Sequence, residues 1–206
     1  MEIILESTGI NHAIDILRSG GVVAHATETC YGLACDLRNP KAVERLFLVK
    51  ERPFTQPVSA LFSSIEEAQK FVFFSEKALS LAKKYLPGPL TIILPVRKDA
   101  PFLLHVRPPE FSIFNFQFSI GVRLSSSPLA HSLVQAFTSP IATTSANLHG
   151  KDNPYSVSDI ESQFLGKSAM PDLVIDSGEL PKAPPSTVVE VIGDQVRILR
   201  QGDLVL

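Results

Sequence analysis

Helical and strand-like patterns alternate along this chain from end to end, with no Ser/Gly-rich linker and no internal repeat between them. That order constrains the fold more than any single motif. Interleaved strands and helices bury their apolar faces most economically as helices packed on one sheet. The reading is an α/β fold over residues 1–206, one domain built around a mixed parallel/antiparallel sheet.

The local signals support it. Asn11 is expected to cap a short helix with Ile14 and Leu17 on one face, ended by Gly20-Gly21. A strand follows over 22–26. Asn39-Pro40 starts the next helix, Asn at the cap and Pro in the first turn, with Val43, Leu46, Phe47 and Lys50 at helical spacing. A buried strand is expected over 58–62, and Ser64 with Glu67 makes a capping box. A helix over 75–85 closes at Pro87-Gly88-Pro89. Further strands are expected over 90–96, 120–124, 141–144 and 173–176. Ser127-Pro128 starts a helix whose apolar side is Leu129, Leu133, Val134 and Phe137. Ser158 and Glu161 form a second capping box. The runs 187–192 and 195–199 make a hairpin over Gly193-Asp194. The stretch 111–118 carries four Phe among polar residues and reads as an edge strand, a lid or a subunit contact.

Composition narrows the class. Of 206 residues, 45% are hydrophobic, enough for a full core. The net charge of −2 argues against a generally adhesive nucleic-acid binder. Two cysteines, Cys30 and Cys35, lack zinc spacing and read as idle thiols. The five histidines, 12, 25, 105, 131 and 149, also lack metal-ligand spacing and read as surface or packing residues. No apolar run is long enough to span a membrane. The acidic start Met1-Glu2-Ile3-Ile4-Leu5-Glu6 is unlike a secretory signal. A cytoplasmic protein is expected, with no membrane partner.

Four polar clusters fall at the ends of expected strands or helices, where ligand sites of α/β folds are built. They are Thr27-Glu28-Thr29 with the later Lys50 and Arg52; Arg123; Thr143-Thr144-Ser145-Ala146-Asn147; and Ser186-Thr187 with Arg200-Gln201-Gly202. Cations, hydroxyls and an amide suit phosphates and carboxylates. There is no phosphate-binding GxxxxGK[ST] loop, no GxGxxG and no Gly-x-Ser-x-Gly elbow. Chemistry by positioning and charge stabilisation, as in phosphoryl or nucleotidyl transfer, fits better than a covalent nucleophile.

The order of these motifs resembles the YrdC-like family of threonylcarbamoyl-AMP synthases. The motifs are Thr27-Glu28-Thr29-Cys30-Tyr31-Gly32-Leu33, Lys50-x-Arg52-Pro53, Leu86-Pro87-Gly88-Pro89-Leu90-Thr91, Gly121-Val122-Arg123, Ser145-Ala146-Asn147, Ser186-Thr187-Val188-Val189 and Leu199-Arg200-Gln201-Gly202. The resemblance implies a twisted mixed sheet with helices around it and an open basic cavity, in the short, single-domain form. It implies a nucleotidyltransferase that makes threonylcarbamoyl-AMP and pyrophosphate from L-threonine, bicarbonate and ATP, for t6A modification of tRNA at position 37. By resemblance, Lys50 and Arg52 are the catalytic pair. Thr29, Arg123, Thr143 and Ser186 take threonine, and Lys50, Arg52, Gln56, Ser145, Asn147 and Arg200 take ATP. Mg²⁺ is implied with ATP, without a carboxylate cage of its own. The tRNA threonylcarbamoyl-transferase machinery is the implied partner downstream. The departures are Ala26, Ala34, Ser125 and Leu148-His149, where the family usually has Pro, Gly, Pro and x-Ser. The alternative is a non-catalytic RNA-binding module of the same fold, in contact with tRNA or double-stranded RNA.

Overall fold

A computed structural model describes residues 1–54, 58–100 and 118–206. Its ten strands form one sheet. In chain order they are β1 (Glu2–Leu5), β2 (Val23–Ala26), β3 (Tyr31–Asp36), β4 (Ser59–Leu61), β5 (Leu90–Pro95), β6 (Ser119–Arg123), β7 (Ile141–Ser145), β8 (Leu173–Asp176), β9 (Thr187–Ile192) and β10 (Gln195–Arg200). Across the sheet the order is β1-β8-β2-β3-β7-β4-β6-β5-β9-β10. Four of the pairings are parallel (β1–β8, β2–β8, β4–β6, β5–β9) and the rest antiparallel, so the sheet is mixed.

The helices are α1 (Glu6–Arg18), α2 (Pro40–Val49), α3 (Ile65–Ala68), α4 (Glu76–Tyr85), α5 (Pro128–Phe137) and α6 (Val157–Phe164). The Asn39 side chain accepts from the main-chain N–H of Lys41 and Ala42 at the start of α2, with Pro40 in the first turn. Ser127 caps α5 in the same way, and its buried residues are Leu129, Ala130, Leu133, Val134 and Phe137. These agree with the helical spacing in the sequence.

Several boundaries differ from expectation. α1 starts at Glu6, not after Asn11, because its buried stripe begins at Gly9 and continues through Ala13, Ile14 and Leu17. The second capping box is Ser156 with Asp159, not Ser158 with Glu161. The aspartate carboxylate at the third helical position accepts from the Ser156 N–H at 3.0 Å. At α3, Ser64 does accept from the Glu67 N–H, but the Glu67 carboxylate reaches Ser63 instead. β1 and β3 carry no strand signal that the sequence made evident. β3 is buried along its whole length, so it lacks the polar alternation of a half-exposed strand. The Phe-rich stretch, apart from Phe118, and Gln56 lie outside the described residues.

The sheet register sorts residues by face. Leu33, Ala60, Ile92, Val122, Ala142 and Val189 sit in the central strands and are fully buried. Their neighbours one position away point to the other face, since strand side chains alternate. That other face is small and polar: Gly32 lies opposite Ser145, and Ser59 lies opposite both Thr143 and Gly121. One side of the central sheet is thus core, and the other is the floor of a cavity. Among the described residues no helix is long and apolar enough to cross a membrane.

Candidate active site

The cavity over this floor has a volume of about 250 Å³. Its lining keeps a period of two on β5, on β6 and into β9, while β7 gives three consecutive residues with Thr144 between the two on the floor face. Thr91 and Ile93 come from β5, Gly121 and Arg123 from β6, Thr143 and Ser145 from β7, and Ser186 and Val188 from the entry to β9. Ser59 of β4 and Gly32 of β3 complete the floor. Thr27, Thr29 and Cys30 come from the β2–β3 turn, and Arg52 from the segment after α2.

Of the ten residues singled out from sequence, seven line this cavity: Thr29, Arg52, Arg123, Thr143, Ser145, Ser186 and Arg200. Two do not. Lys50, at the end of α2, is only 4% exposed. Its Nζ donates to the main-chain oxygens of Ser145 (2.6 Å) and Asn147 (2.8 Å) and to Asn147 Oδ1 (3.1 Å). Asn147 Oδ1 also accepts from the Ser145 hydroxyl, and Asn147 Nδ2 donates to the Lys151 main chain. Lys50 and Asn147 therefore brace the Ser145 turn from behind. The tenth, Gln56, lies outside the described residues.

Burial first, and then the neighbouring Arg52 charge, pull the Lys50 ammonium down to about 7. Its three acceptors match the three N–H bonds of the protonated amine. Burial also lowers Arg52, and burial with Arg123 lowers Arg200. The Cys30 thiol is pushed up chiefly by burial. Cys30 and Cys35 are both free and buried.

The remaining polar groups are anchored. The Thr27 hydroxyl donates to the Cys30 main chain at 2.7 Å and lies 3.1 Å from the Thr29 hydroxyl, which fixes the turn. Arg200 Nε and Nη2 donate to the Ser186 main-chain oxygen at 3.0 and 2.8 Å, and Nη2 also donates to the Ser186 hydroxyl at 3.0 Å. The Ser186 hydroxyl lies 3.0 Å from that of Thr91. Arg123 Nη2 donates to one oxygen of Glu28, and Ser125 Oγ donates to the other.

Sequence reasoning did not single out Ser59, Thr91, Gly121 or Asn153 as lining residues, nor Glu28 and Ser125 as supports. The signal for the first three was present: a small or polar residue at every second place in otherwise apolar strands. Such a pattern reads as a solvent face until the sheet order brings six strands together.

Comparison with known proteins identifies the fold and the family. A family model named for Sua5, YciO and YrdC, and described as telomere recombination, matches residues 15–202. A threonylcarbamoyl-AMP synthase of Psychromonas ingrahamii is 32% identical over 180 residues, covering 86% of this chain and 89% of that protein. The structure of Pyrococcus abyssi Sua5 complexed with L-threonine superposes with a TM-score of 0.84 at 31% identity; the match covers 99% of this chain and 58% of that longer one. Escherichia coli YciO gives a TM-score of 0.80 at 28% identity, covering 98% of this chain and 95% of that one. The chain belongs to the Sua5/YciO/YrdC family.

Proposed function

We infer that this protein is a threonylcarbamoyl-AMP synthase, a nucleotidyltransferase using ATP and L-threonine. The observation that carries the reading is convergence: seven residues from six segments of the chain, three of them arginines, line one cavity. The family relatives include a protein named for this activity and one solved with L-threonine.

In this reading the threonine amine forms a bond to the carbon of bicarbonate, a C–O bond breaks, and water leaves to give N-carboxythreonine. A carbamate oxygen forms a bond to the α-phosphorus of ATP as the bond from that phosphorus to the bridging oxygen breaks. The electron pair leaves with pyrophosphate. Two anions must approach each other, so the main task is to reduce their repulsion. Arg52 and Arg200 do this where water is partly excluded and charge interactions strengthen. Arg123 holds the threonine carboxylate, with the Thr29, Thr143 and Ser186 hydroxyls around it. Ser145 contacts the nucleotide, and Lys50 with Asn147 acts by fixing the Ser145 turn. Gln56 stays with the nucleotide by resemblance.

Among the described residues no three His, Cys, Asp or Glu converge. Glu28, paired with the cavity-lining Arg123, has both oxygens engaged. Mg²⁺ in this reading arrives with the ATP phosphates, and no step is assigned to it. The product passes in the cytoplasm to a transferase that modifies tRNA. Pyrophosphate release measured with ATP, bicarbonate and each amino acid in turn tests the activity. Release that depends on threonine supports it. Absence of release with every amino acid, together with tight binding of tRNA, favours an RNA-binding module instead.

A further inference from the structure

The Glu28–Arg123 pair differs from three other close arginine–carboxylate pairs among the described residues. Arg38 with Asp36, Arg45 with Asp172 and Arg97 with Asp99 each use two guanidinium nitrogens on two carboxylate oxygens. That fork is the favoured geometry for the two groups. Arg123 instead gives Nη2 to Oε1 of Glu28, while Oε2 is taken by the Ser125 hydroxyl. Ser125 is 4% exposed. Its Oγ accepts from the Ser127 N–H at 3.1 Å, which leaves its proton for the carboxylate. Ser127 is the N-cap of α5, and its own hydroxyl donates to the main-chain oxygen of Ala26 at 3.3 Å. Ser125 is therefore fixed between a helix start and the turn that carries Glu28.

We propose that Ser125 is a positioning residue for the carboxylate of the amino-acid substrate, acting through Glu28 on Arg123. By occupying Oε2, it keeps Glu28 from closing a two-pronged pair with Arg123. The guanidinium stays oriented by one bond to Glu28 and keeps its other N–H groups for an anion in the cavity. Without the Ser125 hydroxyl, the freed oxygen turns to Arg123 and competes with the substrate carboxylate. An internal carboxylate in that position acts as a bound competitor and lowers affinity without touching the reacting atoms.

The inference rests on the assignment of Arg123 to the threonine carboxylate, so its test separates the two. L-Threonine is titrated by calorimetry into the wild type, Ser125→Ala, Ser125→Thr and Arg123→Ala, and steady-state kinetics are run on the same four. Arg123→Ala is expected to weaken threonine binding by 30-fold or more. Ser125→Ala is expected to weaken it by about 5- to 10-fold, raising KM for threonine with kcat within about 2-fold. Ser125→Thr, which keeps the hydroxyl, restores binding. A purely structural role lowers the melting temperature and leaves KM in place. Wild-type binding by Arg123→Ala overturns the Arg123 assignment. A normal Ser125→Ala beside an impaired Arg123→Ala overturns the positioning role alone. A crystal structure of Ser125→Ala reads the same point without substrate. Both Glu28 oxygens on Arg123 support the inference, and Oε2 still directed to position 125 overturns it.

Discussion

Lys50 meets Asn147 twice, its Nζ donating to the main-chain oxygen at 2.8 Å and to Oδ1 at 3.1 Å. With the Ser145 carbonyl as third acceptor, the lysine fastens the end of α2 to the turn after β7. Arg52, two residues on, reaches the cavity itself. The two neighbouring cations thus do different work.

Their alanine variants should separate on stability. Lys50→Ala strands three buried acceptors and costs about 3 kcal/mol, a fall of about 8 °C in Tm. It also lowers turnover by about 10²-fold or more by releasing Ser145. Arg52→Ala is expected to lose about as much turnover and less than about 2 °C. Thermal melts beside turnover assays check the pair. A Lys50→Ala protein with wild-type Tm and near-normal turnover contradicts the bracing role.

His25 predicts a pH dependence of stability. It is fully buried, its Nδ1 lies 3.1 Å from the Ala26 main-chain oxygen, and its Nε2 has no partner. Burial, as the largest cause, lowers it from 6.5 to about 4. Between those values the unfolded chain binds the proton and the folded chain does not. Stability from this group is therefore whole above pH 6.5, falls as pH drops toward 4, and is gone below. The difference is about 3 kcal/mol. Urea unfolding from pH 7 to 4 should show the wild type losing about that much more than His25→Gln. Parallel profiles would remove His25 as the cause.

Gly202 packs against the segment that carries Ser186. A Cβ there would lie 2.1 Å from the Pro185 main-chain oxygen and 2.7 Å from the Thr187 nitrogen. Backbone cannot rotate away, so Gly202→Ala must push the chain after β10 off Ser186. We expect about 2 kcal/mol of destabilisation and weakened substrate binding, because Arg200 and Ser186 share hydrogen bonds. Gly150→Ala is a control for substitution at a glycine with open space beside it. Its φ of +78° makes it cost about 1 kcal/mol of strain without touching substrate affinity. Denaturant melts and threonine titrations distinguish the two.

Much of this architecture was legible in the sequence where one residue carries one strong signal. Asn39-Pro40 and Ser127-Pro128 mark their helices because a capping oxygen and a preset φ act locally. The Thr27–Thr29 turn and the Arg123 strand end stood out for the same reason. β3 did not, because a strand buried on both faces has no alternation to read. The roles of Lys50 and Asn147 were also hidden. A lysine beside an arginine looks like two cations facing one ligand, and only the fold reveals the three carbonyl-type acceptors behind the first. Ser125 was visible as a departure from the family pattern, but its partner Glu28 is 97 positions away.

The proposed reaction joins threonine, bicarbonate and ATP into one adenylate in this cavity. The most direct measurement supplies ¹³C-bicarbonate with ATP and L-threonine and follows nucleotide products by mass spectrometry. The expected result is a threonylcarbamoyl-AMP that carries the label, formed with pyrophosphate and abolished in Arg52→Ala. Unlabelled AMP alone, or no nucleotide product from any amino acid, would contradict it.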